Sequence, residues 1–113
     1  MPSPIDAQLL RVFVSEQDHY QGRPVYEAIV VAARDYGLSG ATVLRGTLGY
    51  GADSQIHTAK ILRISEALPL VVEIVDAADK IAGFLPKLDE ILEQGLVTLE
   101  QVRALRYQKQ QPD

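Results

Sequence analysis

A chain of 113 residues, 47% hydrophobic and 23% charged, can hold one folded domain with its own core and has no room for a second. Its net charge of −4 argues against the cationic surface that nucleic-acid binding needs, and the absence of cysteine excludes disulfides, thiolate nucleophiles and zinc–thiolate sites. The opening "MPSPIDAQ" lacks a basic segment followed by an apolar one, and no apolar run approaches the roughly 20 residues of a membrane span, so a soluble, cytoplasmic protein without a nucleic-acid partner is expected.

"AQLLRVFVSE" (7–16) alternates as a strand does, with Leu10, Val12 and Val14 on one side and Leu9, Arg11, Phe13 and Ser15 on the other. The polar "QDHYQG" leads into "RPVYEAIVVAARDYG", where Pro24 suits a first helical turn and Glu27 complements the helix dipole. Val25, Ile29, Ala32 or Ala33, and Tyr36 recur at helical spacing, and Gly37 can form a left-handed C-terminal cap. A second strand is expected over roughly residues 41–50, with Leu44, Leu48 and Tyr50 on one face. It is punctured by Gly46, Gly49 and Gly51 and opens into a polar loop over roughly 50–65.

"LPLVVEIVDA" carries Leu68, Leu70, Val72 and Ile74 on one face and Val71 and Val75 on the other, which suits a central strand or one lying against another subunit. In "DAADKIAGFLPKLDEILEQG", Asp76 is expected as N-cap and Asp79 in the first turn. Ile81, Phe84 or Leu85, Leu88, and Ile91 or Leu92 form the buried face, Pro86 should bend the helix, and Gly95 should end it. Thr98 and Gln101 stand at capping-box spacing, so a helical turn over "LVTLEQV" competes with a strand there. "VRALRY" reads as a short last strand. The domain is expected over residues 7–107, with flexible tails at 1–6 and 108–113.

The order β-α-β-β-α-β specifies an α+β, ferredoxin-like sandwich with two helices on one face of a four-stranded sheet. Both faces of the first and third strands are apolar (Leu9 and Phe13; Val71 and Val75), and two helices cover only one of them. Packing of open sheet faces in an oligomer is the economical solution.

"GRPVYEAIVVAARDYGLSGATVLRGTLGYG", followed by "LPLVVEIVDAADKI", "FLPKLDEIL" and "GLVTLEQV", closely resembles the uncharacterised PII-like proteins, a family of unknown function related to the nitrogen-regulatory PII signalling proteins. The resemblance implies a homotrimer with its sheets facing a central axis. It also implies an adenine nucleotide (AMP, ADP or ATP) in the clefts between subunits, and a loop between the second and third strands, equivalent to the PII T-loop. That loop would signal to a partner, a membrane transporter or an enzyme. Where PII has a glycine-rich basic phosphate turn this chain has "EQGLVTLEQ", so phosphate contacts are expected from Arg45, Lys60, Arg63, and Arg103 or Arg106.

The ligand-binding set is therefore Arg45, Gly46, Gly49, Gly51, His57, Lys60 and Arg63 from the loop base and its return, with Gly95 and Thr98 from a neighbouring subunit. The three glycines fit neither a dinucleotide fingerprint nor a P-loop. They serve equally as a bulge and hinge or as backbone donors to a ligand. Arg45 pairs either with a carboxylate such as Glu73 or with a phosphate. His19 and His57 stand too far apart for a zinc motif and read first as loop residues. Asp18, Asp35, Asp53, Glu66 and Glu73 show no acid–base spacing, and there is no nucleophile elbow, so neither catalysis nor a metal site is expected. The alternatives are a trimeric scaffold without nucleotide and a small hydrolase using His57 with a loop carboxylate. Residues 51–62 are expected to be mobile.

Overall fold

Alternation along the first apolar segment produces the longest strand, β1 (Ile5–Ser15), in a computed structural model that describes residues 1–51, 54–58 and 67–109. A short ribbon of β2 (His19–Tyr20) and β3 (Arg23–Pro24) leads into α1 (Val25–Tyr36). Then come β4 (Thr42–Arg45), β5 (Leu48–Gly49), β6 (His57–Thr58), β7 (Pro69–Asp76), α2 (Ala78–Ile91) and β8 (Leu96–Ala104). The main sheet has the order β4-β7-β1-β8 with every neighbouring pair antiparallel, which is the ferredoxin-like arrangement.

Register explains the core. Val43, Val72, Val12 and Val97 lie in one row across the four strands, flanked by Leu70, Val14, Ile74 and Leu10. On this face pack Val25, Ala28, Ile29 and Ala33 of α1 and Ile81, Phe84, Leu88 and Ile91 of α2, all buried. The α1 cap is as expected: the Gly37 N–H reaches Ala33 O (3.2 Å) and Arg34 O (3.1 Å). Tyr36 is half-exposed, its ring tilted against Phe84 at the edge of the helix layer.

Among the described residues no helix covers the opposite face. Its middle row runs Leu44, Val71, Phe13, Leu96; the next runs Thr42, Glu73, Arg11, Thr98; Val75, Leu9 and Glu100 follow. Arg11 Nε donates to Glu73 Oε2 at 2.8 Å in the centre of this face, and that hydrogen bond raises the Arg11 pKa further above its ordinary value.

Several local expectations are corrected. The strand expected over 41–50 stops at Arg45, and at the next residue the chain runs so close to Pro69 that a Cβ on Gly46 would lie 2.9 Å from Pro69 Cγ and 3.3 Å from Pro69 O. Only glycine lets the chain press onto Pro69 there and leave the sheet. Leu48 and Gly49 instead pair with Thr58 and His57 in a separate ribbon, so Leu48 and Tyr50 are exposed and share no sheet face with Leu44. Asp76 ends β7 and is not the N-cap of α2; that position is Ala77, without a side-chain bond. The buried Asp76 carboxylate accepts the Ala77 N–H (2.8 Å) and both the N–H and hydroxyl of Ser39 (2.9 and 3.1 Å). Burial pushes its pKa up, but these bonds and Lys80 outweigh it and hold the carboxyl below its ordinary value.

Helix α2 runs through Pro86 and ends at Ile91, four residues before Gly95. Gly95 (φ +130°) is the left-handed corner into β8, where a Cβ would sit 2.7 Å from Phe13 O. The competition at Thr98 and Gln101 resolves as strand, since β8 pairs with β1 from Leu96 to Ala104.

Candidate ligand site at the loop base

Ser15 pairs with Pro69, Arg45 with Leu70, and Phe13 with Leu96. Arg45 and Gly46, on the β4 edge, thus share one end of the sheet with Gly95, on the β8 edge. Strands β7 and β1 lie between them, a span of roughly 14 Å at the usual strand spacing. One chain therefore does not bring the two halves of the expected site together.

At the β4 edge, Arg45 Nη2 donates to Glu16 Oε1, while Glu73, its expected partner, is taken by Arg11. The Gly46 N–H donates to Pro69 O at 2.8 Å. Gly49 faces His57, which is half-buried in the β5–β6 ribbon, and the Ser54 N–H donates to Gly51 O at 2.9 Å. Lys60 and Arg63, and much of the segment expected to be mobile, lie outside the described residues. Thr98 sits on the open face opposite Arg11, three residues beyond the Gly95 corner. Arg103 and Arg106 are at the far end of the sheet: Arg103 stands opposite Asp6 in the β1–β8 register, and Arg106 Nη2 donates to Ser39 Oγ at 2.9 Å.

Sequence reasoning missed the turn after β1. The Asp18 N–H donates to Ser15 O (3.1 Å) while the Ser15 N–H donates back to Asp18 Oδ2 (2.9 Å). Gln94 Nε2 donates to Asp18 Oδ1 (2.8 Å), so this turn holds the chain just before Gly95. The Glu16 N–H donates to Leu68 O (3.0 Å). The signal lay in "SEQD", whose serine and aspartate favour a self-bonded turn.

Two concave spaces among the described residues lie elsewhere. One, of about 470 Å³, is lined by Asp6, Gln8, Ala78, Gln101 and Arg103. The other, of about 370 Å³, is a mostly apolar groove between α2 and β8 lined by Leu85, Leu88, Leu92, Val97 and Leu99, with Asp89. Among the described residues no group of three or more His, Cys, Asp or Glu could hold a metal ion, and no helix is long and apolar enough to cross a membrane.

Residues 7–104 match the family DUF190, described as "Uncharacterized ACR, COG1993". A UPF0166 protein from Aquifex aeolicus (strain VF5) is 39% identical over 101 residues, covering 89% of this chain and 95% of the relative. One from Methanocaldococcus jannaschii is 35% identical over 96 residues, covering 84% and 88%. Among solved structures, CPII, a nitrogen regulatory PII-like protein from Thiomonas intermedia K12 bound to ADP, AMP and bicarbonate, is similar with a TM-score of 0.64 at 14% identity, covering 94% of each chain. A PII-like protein from Thermus thermophilus gives 0.68 at 13% identity, covering 90% of this chain and 92% of that one. The chain belongs to the DUF190 (UPF0166) family and has the PII-like fold.

Proposed function

We propose that the protein is a PII-like regulatory protein of the cytoplasm, not an enzyme, that assembles as a homotrimer through its open sheet faces. An adenine nucleotide (AMP, ADP or ATP) binds in the cleft between subunits. Arg45, Gly46, Gly49, Gly51 and His57 of one subunit line it, with Lys60 and Arg63 at the loop return, and Gly95 and Thr98 of the neighbour complete it. The ligand sets what the β4–β7 connection presents to a partner, a transporter or an enzyme.

The observation that carries this reading is the register: the loop base and the Gly95 corner share one end of the sheet but occupy opposite edges. A neighbour packed on the open face can bring one subunit's β4 edge to another's β8 edge. That CPII has been solved with ADP and AMP supports the choice of ligand. The commitments of Arg45 to Glu16 and of the Gly46 N–H to Pro69 favour, as a second reading, a trimeric scaffold without nucleotide. Calorimetry with AMP, ADP, ATP and cyclic AMP, on protein whose mass has been measured by light scattering, separates the two. Binding below millimolar concentration that weakens in Arg45→Ala supports the sensor. No binding of any of the four by a trimer leaves the scaffold.

A further inference from the structure

We infer that Glu16 is a built-in counter-ligand for Arg45, and that it restricts the loop base to anions of low charge, a nucleoside monophosphate or diphosphate before a triphosphate. The inference rests on the nucleotide reading above and adds a specificity-determining residue to it.

The two partners are not held alike. Glu16 has a side chain only 25% exposed and sits in a turn pinned on both sides: its own N–H bonds Leu68 O, and Ser15 and Asp18 bond each other twice. Asp18 is further tied to Gln94, and its carbonyl accepts the Val25 N–H at 2.8 Å. Arg45 ends an edge strand, and its side chain is 59% exposed. The guanidinium can therefore exchange partners while the carboxylate stays in place.

An incoming phosphate that takes Arg45 is left beside Glu16. With the Gly46 N–H committed to Pro69 O, that amide does not offset the repulsion. Paired, Arg45 and Glu16 sum to zero charge, so each further negative charge on the ligand meets the Glu16 carboxylate without gaining a cation from this pair. Arginine's planar fork suits carboxylate and phosphate equally, which makes the exchange geometrically feasible.

The test is calorimetric titration of wild type and Glu16→Gln with AMP, ADP, ATP and inorganic pyrophosphate. Glu27→Gln, which removes the same charge from the exposed side of α1, serves as control. Glu16→Gln should tighten ADP binding about fivefold, the scale of one exposed ion pair, with a smaller gain for AMP and a larger one for ATP and pyrophosphate. The gain should vanish in Glu16→Gln/Arg45→Ala and be absent in Glu27→Gln. If wild type binds ADP and Glu16→Gln binds it no tighter, or Glu27→Gln gains equally, the counter-ligand role is wrong while the nucleotide reading stands. If wild type and Glu16→Gln both fail to bind all four, the nucleotide reading falls and takes this inference with it.

Discussion

An aspartate at position 71 tests the assembly most directly. Val71 stands in the middle of the uncovered sheet face, between Leu44 and Phe13. Around it Phe13, Leu44, Val75 and Leu96 are 38, 49, 40 and 60% exposed. Fully burying such a side chain is worth about 1.5–3 kcal/mol, so covering the exposed half of these four offers about 3–6 kcal/mol per subunit. Val71→Asp leaves the helix-side core untouched. In a separated chain it costs only the modest strand preference of valine, on the order of 1 kcal/mol. In an assembly that buries this face it places an unpaired carboxylate at the centre of each subunit's contact, with a penalty of about 3 kcal/mol or more. The expected result is a folded protein, with an unchanged circular dichroism spectrum, whose subunits dissociate at concentrations at least about 100-fold higher than wild type. Sedimentation equilibrium over a micromolar range measures this. A wild type that is monomeric at micromolar concentration, or a Val71→Asp protein that assembles as tightly as wild type, would refute the reasoning.

The Arg11–Glu73 pair probes the same face from its polar row. Arg11→Leu should weaken assembly by stranding Glu73, and Arg11→Leu/Glu73→Leu should restore it; equal sedimentation of all three proteins would put the pair outside the contact. Gly95→Ala should lower stability in urea by about 2–4 kcal/mol, because it combines a left-handed backbone with a 2.7 Å approach to Phe13 O. A loss under about 0.5 kcal/mol would mean that the corner relaxes freely. Asp76, whose folded pKa is depressed below its ordinary value of 3.8, contributes stability that is present above that value and lost as pH falls through the folded one. Asp76→Asn should therefore cost about 1–3 kcal/mol near neutrality and flatten the fall of the urea midpoint as pH drops below about 4; parallel acid limbs for the two proteins would contradict it.

The fold was legible wherever one face of an element is buried. Leu10, Val12, Val14, Leu70, Val72 and Ile74 alternate without interruption, and each is buried. The misreadings cluster where a residue's usual local role was overridden by a tertiary contact. Asp76 has a capping residue's chemistry, yet its Oδ2 is drawn to Ser39, 37 positions away in the chain. Gly95 looks like a helix stop, yet its place is dictated by the carbonyl of Phe13. Thr98 and Gln101 carry a helix-start spacing, but β1 is a long strand whose second edge must be paired, and β8 pairs it over nine residues. Local propensity is worth a few tenths of a kcal/mol per residue, less than a ladder of such pairs.

The site was harder to read than the fold because its parts are separated along the chain by edges, not by sequence distance. Gly46 and Gly49 announced a close approach, and Pro69 is what they approach; but a glycine does not say whether its neighbour is the protein or a ligand. Arg45 posed the same ambiguity in charge. A strand arginine finds a carboxylate when one is within reach, and Glu16 became reachable only through the turn that Ser15 and Asp18 close upon themselves. That turn also grips Gln94, so Glu16 at the β4 side and Asp18 toward the β8 side are two residues apart in one rigid unit. What looked from sequence like an unremarkable polar connection is the structural link between the two edges at this end of the sheet. In the proposed trimer those edges face different neighbours, so a ligand that draws Arg45 away leaves Glu16 held in the same turn that fixes the approach to Gly95.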